Sequence, residues 1–144
     1  MDYISKNPAQ TRQLAQKIAA GLHGGEVLCL YGQLGAGKTV FISGLINYFI
    51  PGKRVLSPTF IIVRHYHPAS NKIANIYHVD LYRVSDKTDI RGLGLVELLD
   101  QKKSIIAIEW AERLAKFLPK KRIDINIKIK DTTVRELQIK KWTK

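Results

Sequence analysis

A glycine-rich segment near the N-terminal third of the chain has the residue types and spacing of a phosphate-binding loop. The pattern G-x-x-x-x-G-K-[ST] is matched by Gly32-Gln33-Leu34-Gly35-Ala36-Gly37-Lys38-Thr39. In this pattern the glycines let backbone N–H groups approach phosphate oxygens, the lysine contacts the β- and γ-phosphates, and the hydroxyl binds Mg²⁺. We therefore predict that Lys38 and Thr39 hold the phosphates and the metal ion of a nucleoside triphosphate.

The segments on either side of this loop are the ones that would position it. Residues 26–31 form a short apolar run typical of a buried strand, and residues 40–49 have apolar side chains at helical spacing. A loop between such a strand and helix lies at the helix N-terminus, where the helix dipole favours bound anions. A glycine turn that matches the pattern by chance would not require these flanking elements.

The rest of the chain predicts an α/β fold: a mixed sheet flanked by helices, in a single P-loop NTPase-like domain over residues 1–144. Asn7-Pro8 predicts the start of a first helix, which we expect to end at Gly24-Gly25. Further strands are predicted at residues 61–67, 72–80, 104–109, 123–130 and 134–140, and helices at 86–100 and 110–118. Two pairs of these strands are separated by short turns, so we expect hairpins at 61–80 and 123–140.

The charge and the apolar content of the chain limit its partners and its location. The formal net charge is +12, with many basic residues after Lys120, and such a surface attracts polyanions. The aromatic residues show no stacking pattern, so direct contact with nucleic acid is left open beside a purely solvated role for the lysines. No apolar run reaches membrane-spanning length, no secretory layout begins the chain, and Cys29 is the single cysteine. We expect a cytoplasmic protein that does not bind membranes.

Two acidic residues at the ends of apolar strands are candidates for the carboxylate that a Mg²⁺-dependent phosphate site requires. Glu109 follows four apolar residues and is the stronger candidate for binding the metal, directly or through water. Asp80 ends a less apolar strand and is expected to orient the attacking water or the metal's water shell. Thr59 lies where many nucleotide hydrolases have a segment that senses the γ-phosphate.

Two histidines raise the question of a second metal site. His65 and His67 alternate on one face of a predicted strand, so that both side chains point the same way. A zinc site needs three or four ligands, and the sequence places no cysteine cluster or third histidine beside them. We interpret them as a solvent-facing or partner-facing pair.

Four sequence segments together resemble the TsaE (YjeE) family, the bacterial ATPases of threonylcarbamoyladenosine formation in tRNA. The segments are Gly32–Thr39, Ser57-Pro-Thr-Phe60, His78-Val-Asp-Leu-Tyr-Arg83 and Ile108-Glu-Trp110. The likeness extends over nearly the whole chain, including a C-terminal hairpin that carries Arg135. Gln33 differs from the acidic residue often found at its position in the family.

The resemblance implies a specific activity and a set of partners. Such a protein binds ATP and Mg²⁺, hydrolyses ATP to ADP weakly when alone, and is stimulated by the TsaB–TsaD heterodimer. Its ATP cycle resets that complex, which modifies adenosine 37 of tRNAs reading codons that begin with A, so its contact with tRNA is at least indirect. By motif position, the catalytic residues would be Lys38, Asp80, Glu109 and Thr59, and the metal ligands Thr39 and Glu109. The nucleotide would be contacted by residues 32–39 and by Trp110, Glu112, Pro8, Thr11 and Arg135.

Two other functions fit the same loop. A small-molecule kinase would use arginines such as Arg83 and Arg91 to close over the transferred phosphoryl group, although no lid insertion is visible. A nucleotide-dependent binding module would hold ATP as an assembly signal, with hydrolysis incidental. Measuring phosphate release with and without the heterodimer and tRNA distinguishes these functions.

Overall fold

The chain folds around a seven-stranded sheet with the order β1-β7-β6-β2-β5-β4-β3. The computed structural model describes residues 1–57, 62–85 and 90–143. The strands are β1 (Asp2–Ser5), β2 (Val27–Tyr31), β3 (Val63–Tyr66), β4 (Asn75–Asp80), β5 (Ser104–Glu109), β6 (Arg122–Ile129) and β7 (Arg135–Trp142). The helices are α1 (Pro8–Ala20), α2 (Lys38–Phe49) and α3 (Leu95–Leu98), with 3₁₀ segments at Arg91–Leu93 and Ala111–Phe117.

The centre of the sheet is parallel and its two margins are antiparallel. Strand β2 pairs in parallel with β5 and β6, and β5 pairs in parallel with β4. The predicted hairpins are present as the antiparallel pairs β3–β4 and β6–β7. The predicted α/β class with a mixed sheet is therefore confirmed, and the carboxyl ends of β2, β4 and β5 meet at one edge of the sheet.

Helix α2 is held against the sheet by a fully apolar face. Phe41, Ile42, Leu45 and Ile46 are all 0% exposed and belong to a core that β2, β5 and β6 share with α1. The other side of the central strands is covered by α3 and the 3₁₀ segment at Ala111–Phe117. Among the described residues, no helix has the length and apolar character needed to cross a membrane.

The first helix begins where the sequence predicts and ends earlier. The side chain of Asn7 accepts a hydrogen bond from the backbone N–H of Gln10 at 2.9 Å, which confirms the predicted cap. Helix α1 ends at Ala20 with Gly21 as its C-cap, four residues before the predicted end at Gly24. Both Gly24 and Gly25 have positive φ, so they form the turn into β2 rather than the end of the helix.

Two other predicted helices are shorter or less regular than expected. The described part of residues 86–100 contains only the 3₁₀ turn at Arg91–Leu93 and the single-turn helix α3, separated by Gly94 at φ +75°. Residues 86–89, where this predicted helix would begin, lie outside the described part. The segment predicted as a helix at 110–118 is a 3₁₀ helix interrupted at Ala115, whose φ is +50°.

The single cysteine should be unreactive in the folded protein. Cys29 lies in β2 with 0% exposure, and burial, with a further contribution from Asp124, raises the pKa of its thiol to about 12. Because the thiolate is the reactive form, a maleimide should not label Cys29 at neutral pH and should label it at once in denaturant. Rapid labelling of the folded protein, followed by mass spectrometry, would contradict this placement of the strand.

Candidate functional site

The glycine loop joins β2 to α2 at the carboxyl edge of the sheet. At Gly32, φ is +153° and an added Cβ would lie 2.6 Å from the backbone oxygen of Ile127, so a side chain does not fit there. Gly35 and Gly37 have φ of +80° and +107°, and an added Cβ would meet nothing within 4 Å. The loop backbone at these two positions is therefore open toward any group that approaches it, as a phosphate cradle requires.

Lys38 is the first residue of α2 and its ammonium group points back over the loop. Its Nζ donates hydrogen bonds to the backbone oxygens of Gly32 and Gln33, the second at 3.0 Å. Nζ also lies 4.2 Å from the centre of the Trp110 ring. Burial lowers the pKa of Lys38, and the charges of Glu109, Glu112 and Asp80 act in the opposite direction. The lysine is thus a charge held in place at the loop with carboxylates nearby.

Thr39, Glu109 and His78 form a chain of hydrogen bonds beside the loop. The Thr39 hydroxyl lies 3.0 Å from each carboxylate oxygen of Glu109, and Nε2 of His78 lies 2.6 Å from Oε2. Glu109 is 4% exposed and His78 is 0% exposed. Because a carboxylate only accepts, Nε2 of His78 carries the hydrogen, and its Nδ1 has no partner among the described residues. The carboxylate is therefore fixed from two sides.

Asp80 ends β4 directly beside Glu109, since the two residues are paired in the register of β4 and β5. Its Oδ2 accepts a hydrogen bond from the Ser57 hydroxyl at 3.2 Å, and its Oδ1 accepts one from the backbone N–H of Tyr82 at 2.9 Å. The two candidate acids thus lie next to each other at the sheet edge. Thr59, predicted to sense the γ-phosphate, lies outside the described residues.

Trp110 follows Glu109 and turns its ring toward the loop. Its backbone is left-handed, with φ at +58°, a conformation that a bulky residue rarely adopts. The ring lies 5.2 Å from that of Tyr82, and the Arg113 guanidinium lies within 5.8 Å of both rings. The side chain of Glu112 is exposed at the start of the 3₁₀ segment. A strained residue beside the loop is consistent with a constraint imposed by function.

Arg135 donates hydrogen bonds to the backbone of the loop from the C-terminal hairpin. Its Nε donates to the backbone oxygen of Ala36 at 2.9 Å, and its Nη2 donates to that of Gly35 at 3.3 Å. The C-terminal hairpin thereby contacts the loop, although nearly 100 residues separate them in sequence. Thr11, predicted to lie near the nucleotide, is 2% exposed, and its hydroxyl lies 2.6 Å from that of Ser5. Pro8 is exposed at the first turn of α1.

Sequence reasoning assigned no chemistry to two residues that the structure places in the site. His78 holds Glu109, and Ser57 holds Asp80. A signal for His78 was present: it is a polar residue two positions before Asp80, so both side chains lie on the same face of β4. Ser57 belongs to a segment that carries the family resemblance, but its contact with Asp80 depends on tertiary structure and has no signal in the spacing of residues.

The arrangement provides backbone amides at a helix N-terminus, a lysine, a threonine hydroxyl and two adjacent carboxylates. Hydroxyl and carboxylate oxygens are ligands of the type that Mg²⁺ prefers. Within residues 1–57, 62–85 and 90–143, no three His, Cys, Asp or Glu side chains are grouped so that they could hold a metal ion by themselves. A metal at Thr39 and Glu109 would therefore need further oxygens from a phosphate ligand or water.

Comparison with known proteins identifies one family over most of the chain. Residues 5–137 match the model of the family described as "Threonylcarbamoyl adenosine biosynthesis protein TsaE". A protein from Rickettsia typhi named tRNA threonylcarbamoyladenosine biosynthesis protein TsaE is 37% identical, with 92% of this chain and 89% of that protein covered. The protein of the same name from Bacillus subtilis is 36% identical, with 91% of this chain and 79% of that protein covered.

A solved structure shares this fold. The crystal structure of Bacillus subtilis YdiB superposes with a TM-score of 0.78 at 29% identity, covering 99% of this chain and 85% of that one. The matched residues 5–137 include the loop, both candidate acids and Arg135. The chain therefore belongs to the TsaE family.

Proposed function

We propose that this protein is a Mg²⁺-dependent ATPase that supports threonylcarbamoyladenosine formation at adenosine 37 of tRNAs reading codons that begin with A. It acts with the TsaB–TsaD heterodimer in the cytoplasm, hydrolyses ATP to ADP weakly when alone, and resets the complex through its ATP cycle. The family membership and the names of its relatives support the tRNA modification pathway. The ATP cycle and the partner proteins are the parts of the proposal that go beyond this pathway.

One observation carries the ATPase proposal. Lys38 and Thr39, at the start of α2, meet Glu109, at the end of β5, beside the open backbone of one glycine loop. A structural glycine turn does not require a buried lysine and a buried carboxylate at its edge, because each burial has an energetic cost. Binding of a charged ligand at the loop would explain both.

Each residue has a role that follows from its position. The N–H groups of the loop and the Lys38 ammonium would bind the phosphates and stabilise the charge that develops on them. Asp80, held by Ser57 and by the Tyr82 amide, would orient the attacking water. The rings of Trp110 and Tyr82 would exclude other water from the lysine side of the site. Arg135 would keep the loop in its open conformation.

Thr39 and Glu109 are the residues that would hold Mg²⁺. A bound Mg²⁺ would neutralise negative charge on the β- and γ-phosphates. His78 keeps the Glu109 carboxylate turned toward Thr39, and such supporting hydrogen bonds commonly determine how well a metal ligand works.

Replacing Glu109 by Gln should raise the Mg²⁺ concentration needed for half-maximal hydrolysis by at least about tenfold, because the substitution removes the ligand charge and retains the size of the side chain. Titrating Mg²⁺ at saturating ATP measures the effect. Glu97→Gln is a matched control, since Glu97 is an exposed carboxylate in α3. An unchanged Mg²⁺ dependence in Glu109→Gln would remove this residue from the metal site.

Phosphate release from ATP tests the proposal as a whole. It should be slow for the protein alone and rise when the heterodimer and tRNA are added. Release that the heterodimer does not stimulate would contradict the coupled ATPase. A phosphorylated small molecule among the products would instead show the kinase activity that the loop alone also permits.

A further inference from the structure

A basic groove lies along the free edge of the sheet, outside the nucleotide site. Strand β3 ends the strand order, and the segment that follows α2 runs beside it. The groove encloses about 340 Å³. The described residues that line it come from these two segments: Lys53, Arg54, Leu56, Val63, Arg64, His65 and Tyr66. We call this set the β3 groove.

The cations of the β3 groove have no ion-pair partner among the residues that the structure describes. Within the described part of the chain, no carboxylate lies at ion-pair distance from Lys53, Arg54 or Arg64. Nε of Arg64 is buried and has no hydrogen-bond partner there. The guanidinium charge of Arg64 thus has no carboxylate beside it among the described residues, while Nε itself is too buried to contact an external group.

Aromatic rings lie beside the groove, on the face of β3 opposite to Arg64 and Tyr66. The His65 ring stacks on that of Tyr77 with centroids 4.5 Å apart and planes at 18°. The His67 ring follows at 4.0 Å from His65, tilted by 51°. Both histidines are exposed. The sequence showed no such stacking pattern, because Tyr77 joins the row only through the pairing of β3 with β4.

Cations along a groove with a row of exposed rings beside them form a pattern that favours single-stranded nucleic acid. Phosphates follow the cations, and unpaired bases stack on the rings. A small inorganic anion would contact the cations but not the rings. An acidic protein surface would likewise not need them.

We propose that the β3 groove binds a single-stranded segment of RNA, with Lys53, Arg54 and Arg64 on its phosphates and the His65–His67 pair under its bases. The inference rests on the proposed function, in which the substrate of the complex is tRNA. It assigns direct RNA contact to this groove rather than to the basic C-terminal hairpin.

The test measures RNA affinity for the full chain at several salt concentrations without nucleotide, using a labelled tRNA transcript and a labelled oligoadenylate as probes. The triple variant Lys53→Ala, Arg54→Ala, Arg64→Ala should bind both probes at least about tenfold more weakly. Its salt dependence should fall by about two units of slope, since three phosphate contacts are lost. ATP hydrolysis in the absence of RNA should be unchanged.

A matched control removes the same amount of charge elsewhere. Lys120, Lys121 and Lys141 are exposed and lie at or near the C-terminal hairpin. Their triple replacement by Ala should change affinity by less than about twofold. Equal losses in the two triple variants would show attraction by net charge alone and would overturn the proposal.

Ring removal separates stacking from charge attraction. His65→Ala with His67→Ala should weaken oligoadenylate binding while leaving the salt slope unchanged, because bases rather than phosphates lose their contact. If the groove triple variant does not fold, the single variant Arg54→Glu, at an exposed position, is measured in its place.

Three outcomes contradict the groove. The first is that the wild-type chain does not bind RNA, and the second is that the groove variants bind RNA as well as the wild type does. The third is that the groove variants no longer bind the heterodimer but still bind RNA, which would make the groove a protein-docking surface. A wild-type chain that binds RNA but never hydrolyses ATP would refute the proposed function alone.

Discussion

Replacing Lys38 by Ala should lower ATP turnover by at least about 100-fold, the typical effect of removing one preorganised group that stabilises transition-state charge. The ammonium is held at the loop by two backbone oxygens and by the Trp110 ring, and alanine provides no charge at this position. Measuring phosphate release with the heterodimer and tRNA present gives the size of the loss. Modification of tRNA in cells that lack the native protein should fail in parallel.

Lys17→Ala is the matched control for this change. Lys17 is exposed in the last turn of α1, and Ala is favourable in a helix. Turnover should be unchanged in this variant. Near-normal turnover in Lys38→Ala would show that the loop does not use its lysine, and the ATPase proposal would lose its main support.

Replacing Gly44 by Ala should destabilise the fold strongly. A Cβ at Gly44 would lie 2.5 Å from the backbone oxygen of Arg12 and 2.7 Å from its Cα, so α1 and α2 would have to move apart. The clash involves backbone atoms that cannot rotate away, and the loss should reach about 3 kcal/mol, or roughly 10 °C in the midpoint of thermal unfolding.

Gly21→Ala is the control for this prediction. Gly21 has a φ of −93°, and an added Cβ would meet Ile18 at an ordinary 3.6 Å. Its unfolding free energy should change by less than about 0.5 kcal/mol. If Gly44→Ala melts at the temperature of the wild type, the close approach of α1 and α2 is wrong.

The elements around the loop could be predicted from sequence because their signals are local. Strand β2, helix α2 and strand β5 each combine apolar periodicity with clear ends, and the structure confirms all three. The cap at Asn7 is equally local. The contact between Thr39 and Glu109 could be anticipated, since the loop and the carboxyl ends of the parallel strands lie at the same edge of the sheet.

Most of the failures occur where distant residues decide the conformation, and one occurs at a local break. Strand β1 was not anticipated, because it is short and is defined by its pairing with β7. Residues 91–98 carry helical periodicity, yet Gly94 breaks the helix there. Two hydrogen bonds depend on tertiary packing, which periodicity does not encode. They join Arg135 to the loop and His78 to Glu109.

The position of β2 between β5 and β6 has a consequence for folding of the chain during its synthesis on the ribosome. The strand that carries the loop is made early, while both strands that flank it are made later, β6 only after Arg122. Until then the nascent chain lacks the pairing that closes the middle of the sheet, and such distant contacts form slowly. A chain stalled before β6 emerges would therefore contain the whole loop sequence while one side of β2 is still unpaired.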